Sequence, residues 1–156
     1  MNIEKAPTIN DLPSGFLRDQ KVDGLHGLFW PSNNEFIRLW RAADRVWSTF
    51  SEEIESPLPE PIKGIFCFDA EKCGGSFAED DGICVCWGDA FFIGIDKTAL
   101  SEQDYLEFLL IHELCHALCG IGHTPHYEGK LNEMILQFNH AYGTDLQNDL
   151  VTYNDE

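Results

Sequence analysis

Between Ser32 and Ile54 apolar side chains return every three or four positions, at Phe36, Trp40, Ala43, Trp47 and Phe50. That period belongs to a helix with one buried face. Ser32 with Glu35 three positions on makes a capping box, so an amphipathic helix is predicted over about 33–54, its tryptophans in the core. Pro57, Pro59 and Pro61 then punctuate an acidic linker. Gly64–Phe68, Ile83–Trp87 and Ala90–Ile95 are short runs rich in β-branched and aromatic residues, which read as strands. Only Gly88 and Asp89 separate the last two, the spacing of a tight hairpin. The Gly-rich, charged stretch 69–81 reads as a loop with a short strand near Ser76–Ala78.

The remaining pattern is helical. Tyr105 to Ile111 is almost wholly apolar, and Ser101 followed by Asp104 reads as its cap, which predicts a buried helix over about 102–119 stopped by Gly120-Ile121-Gly122. Thr124 as cap, Pro125 at the first helical position, and Tyr127, Leu131, Met134, Ile135 and Phe138 at helical spacing predict another over about 125–141, ending before Gly143. Residues 1–31 read as an irregular arm, 32–142 as the folded domain and 143–156 as an acidic tail. The expected fold is α+β, a small antiparallel sheet packed on the buried helix with two further helices.

That buried helix carries His112-Glu113-Leu114-Cys115-His116. A helix turns about 100° per residue, so the two histidines stand on one face and both imidazoles can reach one ion. Glu113 lies about 100° round from His112 and about 60° from His116, where a carboxylate can touch a metal-bound water without ligating the metal. A catalytic zinc takes three protein ligands and keeps a fourth position open. His123, directly after the glycine turn and directly before the next helix, is the expected third. His126, one turn further on, Glu128 and Glu133 on the following helix, and Cys119, seven residues past His112, are the competing positions. The chemistry expected is peptide hydrolysis, with Zn²⁺ activating a water and Glu113 as general base. Tyr127 could serve the oxyanion, but its spacing with Leu131 and Met134 assigns it to the core. The edge of Ala90–Ile95 is the nearest candidate to pair with an extended substrate. The alternative is a zinc-binding protein with no catalytic role, against which the presence of Glu113 argues.

The 156 residues suit one domain, and no run approaches the ~18 apolar residues of a membrane span. The start Met1-Asn2-Ile3-Glu4-Lys5-Ala6-Pro7 lacks an apolar signal core, so the expected location is cytoplasmic. Twenty-seven acidic against 10 basic residues give a formal charge of −17, which opposes direct binding of nucleic acid; it reads first as a source of solubility that repels other acidic surfaces, with preference for a basic protein or peptide substrate as the sharper alternative. The six cysteines include no C-x-x-C pair, so they read as buried thiols in a reducing compartment and not as a zinc ribbon.

The string His112-Glu113-Leu114-Cys115-His116-Ala117, with Gly122-His123-Thr124-Pro125-His126-Tyr127 and then Lys130-Leu131-Asn132-Glu133-Met134, resembles the SprT-like and WLM-type zinc metalloproteases. In those families an aromatic follows the third histidine by four residues, as Tyr127 follows His123. The resemblance covers about residues 90–140 and implies a minimal zincin-like domain with ligands His112, His116 and His123 and base Glu113. The interval between the second and third histidines is closer to the short WLM-type spacing, and Thr124 stands where SprT-like chains often have a glycine. Family members often act on proteins crosslinked to DNA, and the charge of this chain has the wrong sign for that role.

Overall fold

The computed structural model describes residues 31–55, 62–69, 81–87, 90–120 and 122–147. The expected arm over 1–31, all but Pro31, the strand near Ser76–Ala78 and the tail beyond Gln147 lie outside these residues. Helix α1 runs Asn33–Thr49 and opens on the expected capping box, Ser32 N–H donating to Glu35 Oε1 at 2.8 Å and Glu35 N–H to Ser32 Oγ at 3.3 Å. It is shorter than predicted. Thr49 Oγ1 donates back to the Arg45 carbonyl at 2.8 Å, a bond that bends helices, and Phe50 leaves helical geometry as it enters the core. A single turn, α2 (Ser51–Glu55), follows.

Among the described residues three strands form the sheet: β1 (Ile62–Phe68), β2 (Gly82–Trp87) and β3 (Ala90–Asp96), in the order β1-β3-β2. The β2–β3 hairpin is antiparallel as predicted, with Cys84 opposite Ile93 and Trp87 opposite Ala90. The wholly antiparallel sheet is not what forms, because β1 runs parallel to β3, Ile65 opposite Ile93 and Phe68 opposite Asp96. β3 enters between its two predecessors in the sheet. Ile93 and Ile95 are fully buried there, and Gly94 lies under the Phe66 ring where a Cβ would come within 2.6 Å of it. Bonded on both sides, β3 has no edge to offer, so Ala90–Ile95 cannot receive an extended chain. Among the described residues the outer strands are β1 and β2, and β2 packs against the helix that bears the histidines.

A 3₁₀ turn over Lys97–Ser101, capped by Asp96 through Thr98 N–H and Thr98 Oγ1, leads into α3 (Gln103–Cys119). Ser101 therefore closes the preceding turn, its hydroxyl directed to the Thr98 carbonyl at 3.4 Å, and is not the cap of α3. Glu102 holds that position without a side-chain bond. From Leu106 to Cys115 every residue of α3 is buried, as expected of a helix apolar on all sides. Gly120, at φ 93°, ends α3 in the left-handed region that glycine adopts without strain.

Helix α4 (Pro125–Tyr142) begins as predicted, Thr124 Oγ1 accepting from Tyr127 N–H at 3.1 Å, and ends at Gly143. Its face of Tyr127, Leu131, Met134, Ile135 and Phe138 joins Leu39 and Val46 of α1, Leu109 and Leu110 of α3, and Ile65, Ile93 and Ile95 of the sheet in one core. Toward the start of α3 the three long helices meet in a polar clamp. Arg45 Nη1 lies 3.1 Å from Glu107 Oε2, which also accepts from Gln103 Nε2 at 3.1 Å, while the guanidinium stands 4.3 Å above the Tyr142 ring and 5.6 Å from that of Phe138. Among the described residues no helix is long and apolar enough to cross a membrane.

Candidate metal centre

Two elements and the turn between them assemble the site. The last two turns of α3 carry His112 and His116, and the glycine turn brings His123 back immediately before α4. The three rings form a nearly equilateral triangle, with centroids 5.0 Å apart for His112–His116, 5.2 Å for His112–His123 and 5.1 Å for His116–His123. One ring nitrogen from each lies within 4.8 Å of the others.

The electronic state of the donors suits a cation. Burial, and then the positive charge that His116 and His123 would carry, lower the pKa of His112 from 6.5 to about 3 in the metal-free protein, so its ring nitrogens stay neutral. Nδ1 of His116 lies 3.0 Å from the Gly120 carbonyl. A carbonyl only accepts, so Nδ1 holds the proton in that bond and Nε2 keeps its lone pair for a metal.

Beneath the triangle lies Tyr127. Its ring is 4.3 Å from that of His116 and nearly parallel, and 5.0 Å from that of His123, while its hydroxyl donates to the His112 carbonyl at 2.9 Å. Fully buried and engaged at its hydroxyl, Tyr127 is core, and it is also the floor of the site. Helical spacing alone indicates the core part. Phe108, its ring 5.7 Å from that of His112, continues the floor toward the start of α3.

Glu113 Oε2 is 4.0 Å from His112 Nε2, too far for a direct bond and near enough for both to meet one small ligand. Only 3% of Glu113 is exposed, because β2 passes directly over it. The residue of contact is Gly82, which no motif singled out: it matters only once β2 is laid on α3. The competing third ligands stand elsewhere. His126 and Glu128 are exposed, and Glu133 is exposed and paired with Lys130 at 3.2 Å. Neither these nor Cys119 falls within the metal-compatible group, the one such cluster among the described residues. Cys115 is buried with its Sγ 3.7 Å from the Tyr127 carbonyl, and burial pushes its thiol pKa up, as befits a packing residue. No known family model, curated protein or solved structure matches the chain.

Proposed function

We propose that this protein is a zinc-dependent metallopeptidase with a minimal zincin-like domain, of the kind its resemblance to SprT-like and WLM-type proteases implies. The observation that carries the reading is the Glu113 carboxylate 4.0 Å from Nε2 of His112, one of the three clustered imidazoles. Three neutral imidazoles suit zinc, which when bound supplies Lewis acidity and lowers the pKa of its water. His112, His116 and His123 hold the ion. Glu113 takes the proton from the attacking water and passes it to the leaving amine, work that contributes roughly 10²- to 10⁴-fold.

An extended substrate would lie along β2, the strand that covers Glu113 and packs on α3. The charge of −17 favours a basic segment in that role and disfavours nucleic acid. The deep burial of His112 and Glu113 supports a second reading, a zinc site that organises the fold without catalysis. Wild type and Glu113→Gln, each loaded with zinc and offered an unstructured basic protein, separate the two. Equal zinc content with new peptide ends from the wild type alone supports the peptidase. Cleavage by both proteins would remove Glu113 from the mechanism, and equal zinc content with cleavage by neither favours the structural site.

A further inference from the structure

We infer that Gly82 is a positioning residue for Glu113: its bare Cα leaves the space in which the carboxylate is seated. The inference rests on the peptidase reading for its catalytic consequence, but its geometry stands without it. A Cβ at Gly82 would lie 3.1 Å from Glu113 Oε2, 3.4 Å from Glu113 Cγ and 3.4 Å from Leu109 Cδ2. The backbone of Gly82 is outside the left-handed region, so conformation does not demand a glycine here; space does. Gly120, Gly122, Gly129 and Gly143 would each place a Cβ in the open, and Gly94 would strike Phe66 and Ile83, away from the histidines.

Retreat of the strand is blocked on two sides. The Asp81 carbonyl accepts from Asp96 N–H at 2.8 Å, and its carboxylate accepts from the Tyr105 hydroxyl at 2.6 Å. Gly82 itself is in register with Ile95 of the central strand. An added methyl therefore displaces the carboxylate and not the backbone. The atom displaced is the same Oε2 that faces His112 Nε2, so a shift of a few tenths of an ångström falls on the atom that receives the proton. Misplacement of a reacting group by 1 Å can cost about 10²-fold in rate.

The test is a cycle of Gly82→Ala against Glu113 in the full chain. Gly82→Ala should lower kcat about tenfold, on the scale of that misplacement cost, with KM and zinc affinity unchanged. In a Glu113→Asp background, where the shorter side chain makes room, the same methyl should cost no further activity. Thermal unfolding supplies a readout that needs no turnover: Gly82→Ala should lower Tm beside Glu113 and leave it unchanged beside Glu113→Ala. Equal destabilisation in both backgrounds would overturn the inference and leave Gly82 as a packing position against Leu109. If no protein cleaves any substrate, the peptidase reading fails, and the unfolding cycle still decides whether Gly82 seats the carboxylate.

Discussion

Acid should destabilise the metal-free protein through His112. In the unfolded chain an imidazole takes up a proton below its ordinary pKa of 6.5, whereas the folded site holds His112 neutral down to about 3. Between those values the unfolded state binds a proton that the native state does not, so stability falls as pH falls, by about 1.4 kcal/mol per unit. From pH 8 to pH 5 the loss assigned to His112 is about 2 kcal/mol. Other groups act in the opposite direction. Burial raises the Glu107 pKa, so the native state takes up that proton first and gains stability as pH falls, and protonation also relieves the repulsion of a chain at −17. His112→Phe keeps a ring in the site and removes only the titration. Urea unfolding of metal-stripped protein, followed by tryptophan fluorescence at pH 8 and pH 5, should show wild type losing about 2 kcal/mol more than the variant. Equal losses in the two proteins would show that His112 is charged, or solvated, in the native state.

Tyr127→Phe should cost about 1 kcal/mol by chemical denaturation, because the His112 carbonyl still accepts its helical bond, whereas Tyr127→Ala should cost roughly 3–5 kcal/mol. Loss of the ring beneath His116 and His123 should also weaken zinc binding about 10- to 100-fold in a competition titration; unchanged affinity would make Tyr127 core alone. His123→Ala should abolish tight zinc binding and Glu133→Ala should leave it intact, and the reverse result would reassign the third ligand. Glu107→Ala, which leaves Arg45 without its buried counter-ion, should lower unfolding free energy by about 3 kcal/mol; a change under about 1 kcal/mol would mean that solvent screens the pair.

What could be read from the sequence follows how local each signal is. Thr124, Pro125 and Gly143 act on their own helix, and α4 begins and ends within a residue of its predicted bounds. His112, Glu113 and His116 are placed by one helix and His123 by one glycine turn, so the whole triangle was legible before any packing was known. The parallel entry of β1 was not, because alternation tells which residues form strands and nothing of which strands pair. Ser101-x-x-Asp104 has the form of a cap, but the 3₁₀ turn begun at Asp96 had already claimed Ser101. Gly82 was invisible for the same reason as the strand order: it acquires its meaning from a helix some thirty residues away.

The clamp near the start of α3 and the histidines near its end give one helix two fastenings of different chemistry. The first, Arg45 with Glu107, Phe138 and Tyr142, is built from the chain itself; the second, on the proposed reading, would be completed by an ion. Withdrawal of such an ion would therefore free one end only. Amide exchange in such a helix should be graded, with slow protons around Leu106–Leu110 whether or not metal is present and a local opening from His112 through Cys119 into the first turn of α4 when it is absent. The stretch that would open is the stretch that carries the three histidines, so on that reading a metal would be taken up without the rest of the domain coming apart.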